Sequence, residues 1–135
     1  MQTLIDNINT KFLDSAAYND VGGRVFYRKA TSPDYPRIVY SIITANPDNV
    51  FQRKGESVLM QFDIFGADSA GDAAVNTIYA DLRTLLDDWQ ITIAGYGTIQ
   101  FTWQNTVTIS EDIVLEDGSS GVVHIAVDYE ITYQA

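Results

Sequence analysis

GTIQFTWQNTVTISEDIVLEDGSSGVVHIAVDYEITYQ, residues 97–134, alternates apolar and polar side chains twice over. Ile99, Phe101, Trp103, Val107 and Ile109 are interleaved with Thr98, Gln100, Thr102, Gln104, Thr106 and Thr108, and Asn105 is the one polar break on the apolar side. Val123, Ile125, Val127, Tyr129, Ile131 and Tyr133 are interleaved with His124, Ala126, Asp128, Glu130, Thr132 and Gln134. Successive side chains of a strand point to opposite faces, so this spacing predicts two long antiparallel strands, each with an apolar and a polar face. The intervening SEDIVLEDGSSG contains Asp117-Gly118, a hairpin-turn signal.

Upstream, Ser57–Phe65 repeats the pattern, with Val58, Met60, Phe62 and Ile64 on one face and Ser57, Gln61 and Asp63 on the other. Asp63, Asp128 and Glu130 therefore share the polar face if these strands are neighbours. Ile38–Thr44 is β-branched and aromatic, the composition of a strand buried on both faces or nearly so, and Arg24–Arg28 reads as a short strand. Pro33 and Pro36 make Thr31–Pro36 a turn or extended loop. Two helices are expected. Leu4, Ile5, Ile8 and Phe12 recur at helical spacing, with Thr3 as a candidate N-cap and Gly22-Gly23 as the stop of that region. Ala74, Val75, Ile78, Leu82, Leu85 and Leu86 form the apolar stripe of a second helix, capped by Asp68 or Ser69, that runs to about Asp88. The predicted architecture is α+β: a single antiparallel β-sheet with two α-helices packed on one face, in one domain over residues 1–135.

At 135 residues, 46% of them apolar and 19% charged, the composition is that of a globular domain rather than a disordered chain. The chain has no cysteine, which excludes a disulfide, a thiolate nucleophile and Cys-ligated zinc. MQTLIDNINTKF lacks the basic start and apolar block of a signal peptide, and no apolar run approaches the ~20 residues of a spanning helix, so no membrane is expected. The net charge of −10 is uneven: residues 1–60 carry seven basic against six acidic side chains, and residues 61–135 carry one against twelve. Such an acidic chain repels phosphate, so a binding partner should be basic or should meet the first half.

Chemistry-bearing residues are few. His124 is the sole histidine, on a strand's polar face with only carboxylates within reach of the alternation; it reads as a surface histidine without a catalytic partner. Glu111, Asp112, Glu116 and Asp117 around the last hairpin could gather a hard cation, but their spacing matches no EF-hand loop and suits a solvated turn. Asp87-Asp88 fall at a helix C-terminus, where the macrodipole disfavours anions. Gly95-Tyr96-Gly97 is too short for a phosphate cradle and reads as a tight turn; no GxSxG elbow is present. Arg24, Arg28, Lys29 and Arg37 lie among Tyr27, Tyr35 and Tyr40, a set that suits a protein contact better than single-stranded nucleic acid on so acidic a chain. No catalytic, cofactor-binding or metal residue is expected, and no cofactor.

The phrasing GGRVFYRKATSPDYPRIVY (Gly22–Tyr40), together with VLMQFDIFG (Val58–Gly66) and VNTIYADLRTLLDD (Val75–Asp88), resembles the small tail-completion proteins of long-tailed bacteriophages, also called tail terminator or head–tail joining proteins. The resemblance covers nearly the whole chain. It implies an α+β structural protein of the virion, without catalytic residues, assembled in the host cytoplasm. Such a protein caps the finished tail tube as a homo-oligomeric ring, usually six-fold, and presents a docking surface to the head-completion or neck protein, while DNA passes through without specific binding. The acidic second half and longer final hairpin depart from the family's pattern. Within that frame, Asn46–Gly55 is a candidate assembly loop: Val50 and Phe51 set an apolar anchor beside Arg53 and Lys54 in a connection longer than a hairpin needs. Asp63, Asp128 and Glu130, repeated around a ring, become candidate channel-lining residues. The alternatives are another tail, neck or baseplate structural protein, or a small-ligand-binding α+β domain.

Overall fold

The computed structural model describes residues 2–32, 34–44, 57–67, 72–93, 97–114 and 120–134. Along the chain these form α1 (Gln2–Phe12), α2 (Ala16–Asp20), β1 (Val25–Tyr27), β2 (Arg37–Thr44), β3 (Ser57–Ala67), α3 (Asp72–Leu86), β4 (Gln90–Ile93), β5 (Gly97–Val114) and β6 (Ser120–Gln134). The strands make one six-stranded sheet in the order β1-β2-β3-β6-β5-β4.

The sheet is mixed, not purely antiparallel. β1 pairs with β2 in parallel, Val25 opposite Ile38 and Tyr27 opposite Tyr40, while the other neighbours run antiparallel. Parallel pairing ordinarily needs a long crossover. Here β1 is only three residues long, so the chain has about 10 Å to retrace, and residues 28–36 suffice. Arg24 fixes that return: its Nε donates to the Pro36 carbonyl at 2.9 Å and its Nη2 to the Tyr35 carbonyl at 3.3 Å. The Tyr35–Pro36 peptide is cis.

Three helices rather than two are present among the described residues. The additional one, α2, follows from local chemistry: the Ser15 side chain accepts from the Tyr18 N–H at 3.2 Å as an N-cap, and Gly22 and Gly23, both at positive φ, carry the chain out of it. β4 is likewise an addition to the predicted set, too short for its QITI to show a period. Residues 68–69, where the α3 cap was expected, lie outside the described residues.

Leu4, Ile5, Ile8 and Phe12 of α1 and Val75, Ile78, Leu82 and Leu86 of α3 are buried together with Ile38, Tyr40, Met60, Phe62, Ile64, Phe101, Val127, Tyr129 and Ile131 of the strands. The contacts are specific. Phe12 stacks 6.2 Å from Tyr40, whose hydroxyl donates to the Asn9 side chain, and Tyr40 in turn lies 5.4 Å from Phe62. β3 and α3 approach closely at Gly66: a Cβ there would lie 2.4 Å from Val75 Cγ2. β2 is not buried on both faces as its composition suggested, since Ile38 and Tyr40 are buried while Ile43 is 48% exposed.

Candidate functional site

The sheet face opposite this core is where the sequence concentrated its polar positions, and the register assembles it row by row. Arg37, Phe65, His124 and Ile109 lie across β2, β3, β6 and β5; Val39, Asp63, Ala126 and Val107 form the next row; Ser41, Gln61, Asp128 and Asn105 the third; Leu59, Glu130 and Thr102 follow on β3, β6 and β5. Asp63, Asp128 and Glu130 thus do share one face. None stands as an isolated exposed charge. Asp63 Oδ1 is 2.7 Å from His124 Nε2, with about 15% of each side chain accessible. Asp128 Oδ1 accepts from Gln61 Nε2 at 3.1 Å, and Glu130 is half-buried.

His124 is therefore not the unpartnered surface histidine the pattern suggested. Besides its carboxylate it stacks on Phe65 at 4.3 Å, and the Arg37 guanidinium lies 5.4 Å from that same ring and 4.6 Å from Tyr35. Among the described residues no cluster of three or more His, Cys, Asp or Glu could hold a metal ion. A cleft of about 450 Å³ opens between the end of α1 and β1, lined by Leu13, Tyr18, Phe26, Tyr27 and Lys29 among others. Its described lining includes the Thr10 and Thr31 hydroxyls and no carboxylate or imidazole.

The apolar residues that β5 adds to this face come from one irregularity. The β5–β6 register shifts between Trp103 and Asn105: Trp103 stands opposite Tyr129, but Asn105 already stands opposite Asp128. The extra residue is a bulge, and it inverts the facing of everything beyond it. Thr106 and Thr108, expected on the polar face, oppose Val127 and Ile125; Val107 and Ile109, expected in the core, oppose Ala126 and His124. They are 45% and 40% exposed.

The bulge is held from the helix side. Trp103 Nε1 donates to Thr106 Oγ1 at 2.9 Å, and that oxygen is 3.0 Å from the Tyr79 hydroxyl. Arg83 lies 4.1 Å above the Trp103 ring and donates Nη1 to Tyr79 at 2.8 Å. Its Nε and Nη2 meet the Asp87 carboxylate at 2.8–2.9 Å, and the buried Tyr129 hydroxyl donates to the same carboxylate at 2.6 Å. Burial works against the Asp87 charge, but the bonds from Arg83 and Tyr129 outweigh it and hold its pKa below the ordinary value. Burial, then the neighbouring carboxylate, push the Tyr129 phenol upward. The unfavourable helix-end position of Asp87 is thus offset by partners inside the fold.

Of the basic group around the first strands, Arg24 and Arg37 are engaged with the backbone of residues 32–36, leaving Arg28 and Lys29 as its exposed members. Val50, Phe51, Arg53 and Lys54 lie outside the described residues, as do residues 115–119 of the acidic hairpin and residues 95–96 of the expected Gly-Tyr-Gly turn.

The sequence reading also missed the open rim of the sheet. β4 pairs with β5 only over Gly97–Gln100, extended by the Phe101 N–H to the Trp89 carbonyl at 2.8 Å. From Thr102 onward no described strand lies on the outer side of β5. Trp103, Gln104, Asn105, Val107, Thr108 and Ile109 are all exposed there. The available signal was negative: Thr102–Ser110 contains no charge and no proline, the residues that usually blunt an edge.

The family profile described as tail completion protein gp17 matches residues 12–134. No curated protein matches the chain. One solved chain similar in fold comes from the virion of a native gene transfer agent particle; it aligns at a TM-score of 0.59 and 12% identity over 94% of this chain and 92% of its own. A second solved chain aligns at a TM-score of 0.60 and 12% identity, over 100% and 96% respectively. At that identity the two likenesses establish a shared fold.

Proposed function

Because the chain belongs to the tail completion protein gp17 family, and is in that sense a structural protein of a phage-type tail, we propose that it closes the finished tail tube as a homo-oligomeric ring and offers the docking surface for head–tail joining. The observation that carries this reading is the family match over residues 12–134, nearly the whole chain. One feature supports it. The outer sheet face carries Asp63, Asp128 and Glu130 with Gln61, Asn105 and Thr102, interspersed with apolar side chains such as Val39, Leu59 and Val107; its acids suit the wall of a conduit, where passing DNA meets repulsion rather than sites that would retain it. The partners are then further copies of this chain, the tail tube protein and a head-completion or neck protein, with Val50, Phe51, Arg53 and Lys54 in the contact between copies.

Electron microscopy of the purified protein mixed with uncapped tails tests the reading. A ring of added density at one end of the tube, on tails that then join heads, is expected. Density spread along the tube or confined to the baseplate end assigns the chain to another part of the tail.

A further inference from the structure

The long open rim of β5 is a liability in a protein that stays single. Thr102–Ser110 offers a row of backbone donors and acceptors on its outer side, carries β-branched and aromatic residues, and lacks the charges and prolines that keep such rims from pairing. A matching vacancy lies at the opposite end of the same sheet. β1 pairs with β2 only over Ile38–Tyr40, so among the described strands Ser41–Thr44 is open on its outer side, and Ile43 there is 48% exposed.

We propose that β5 of one copy pairs through Thr102–Ser110 with the open Ser41–Thr44 end of β2 in the next copy, joining the sheets head to tail. This deepens the ring reading above and rests on it. Charge selects the pairing. β5 belongs to residues 61–135, with one basic and twelve acidic side chains, and β2 to residues 1–60, with seven and six. A β2-to-β5 joint sets the acidic half against one of nearly balanced charge, whereas β5 against β5 would set two acidic halves together. The contact is heterologous, the kind that closes into rings, and neither strand is used up by making it. It also turns the two sheet faces toward the two walls of the ring. With copies joined edge to edge and the helices on one side, the face carrying Asp63, Asp128 and Glu130 is left to line one wall of the ring.

The absence of cysteine gives a clean test. Opposed residues on paired strands have Cα atoms about 4.5–5.5 Å apart, inside the disulfide range. Ile43→Cys is combined in turn with Asn105→Cys, Val107→Cys or Ile109→Cys, and particles assembled with each variant are oxidised and run without reductant. A ladder of covalent multimers from at least one double variant, absent from every single variant, is expected. Covalent dimers from Val107→Cys or Ile109→Cys alone would mean like edges pair, and would overturn the proposal. No disulfide in any combination, on particles that hold several copies in a visible cap, leaves the ring standing and removes the edge joint. A single copy per particle removes both. As a second arm, Val107→Lys with Ile109→Lys should keep the melting temperature of the parent, both sites being exposed, yet abolish cap formation. Normal caps from that variant refute the joint.

Discussion

Replacing Gly66 with alanine probes how tightly α3 is seated on β3. The added Cβ would sit 2.4 Å from Val75 Cγ2, more than 1 Å inside the ~3.5–4.0 Å at which carbon atoms pack. Val75 cannot turn away: it is 1% exposed, and a β-branched residue in a helix has essentially one χ1 well. The relief must come from a shift of α3, which carries Ile78, Leu82 and Leu86 into the core. Overpacking of this kind costs ~1–3 kcal/mol, offset by the ~0.4–1 kcal/mol that alanine gains over glycine by restricting the unfolded chain. A net loss of about 1–2 kcal/mol remains. With ~2.1 cal/mol/K of unfolding entropy per residue, a chain of 135 residues loses about 4–7 °C in melting temperature. The sharper measurement is the pair. Val75→Ala removes the obstructing methyl, so the double variant should be more stable than the sum of the two single losses by at least ~1 kcal/mol in urea unfolding. Single losses that simply add, or a Gly66→Ala protein melting within a degree of the parent, would show that the helix is not held against the strand at this point.

Tyr129→Phe removes the hydroxyl that donates to Asp87; a bond to a charged acceptor that keeps its Arg83 partner is worth ~1.5 kcal/mol, or about 5 °C at pH 7. Because the folded Asp87 pKa is lowered, that stability is present above the unfolded carboxylate value near 3.8 and fades as pH falls through the folded one, so urea midpoints of parent and variant should converge in acid. Asp20 behaves oppositely: burial, then the Asp81 carboxyl, push it up to about 6, so its favourable state holds below 3.8 and is lost as pH rises through 6. Asp20→Asn should accordingly raise the melting temperature at pH 7.5 and give no gain below pH 4. Asp128→Lys with Glu130→Lys, leaving Asp63 on His124, should spare folding and slow DNA ejection in a salt-relieved manner; unchanged ejection kinetics would place this face outside the conduit. Phe51→Ala with Arg53→Glu should leave the melting temperature unchanged and block capping of tails, and full capping would dismiss the loop.

What could be read from the chain depended on whether neighbours in sequence carried the signal. Val58–Ile64 and Val123–Ile131 showed their two faces directly, because nothing interrupts their alternation, and Leu4–Phe12 and Val75–Leu86 showed theirs at helical spacing. Residues 99–109 kept the same two-residue rhythm in sequence while the backbone took up an extra residue, so Val107 and Ile109 read as core. The cause lies in side chains remote in sequence: Tyr79 and Arg83 hold Trp103 and Thr106. The Arg83–Asp87 pair has an i,i+4 spacing that the sequence reading did not use, and Tyr129 as its third member has no local signal at all. His124 and Asp63 meet only because β3 and β6 pair in this register, a fact no local pattern contains. The parallel β1 escaped for a similar reason, since three residues cannot declare their direction.

The bulge at Trp103–Asn105 divides one hairpin into two stretches that answer to different demands. Up to Phe101 every inward substitution on β5 is judged by the hydrophobic core. Past the bulge, inward positions are threonines at the margin and the large apolar side chains look away, so the distal stretch can drift in sequence without disturbing the fold. Deleting Gln104 would merge the two reading frames: Val107 and Ile109 would swing toward the helix side, and Thr106 and Thr108 would take their places. A one-residue indel here would therefore exchange the greasy outer surface for a hydroxyl-lined one in a single step, leaving the strand count and the order of the sheet unaltered.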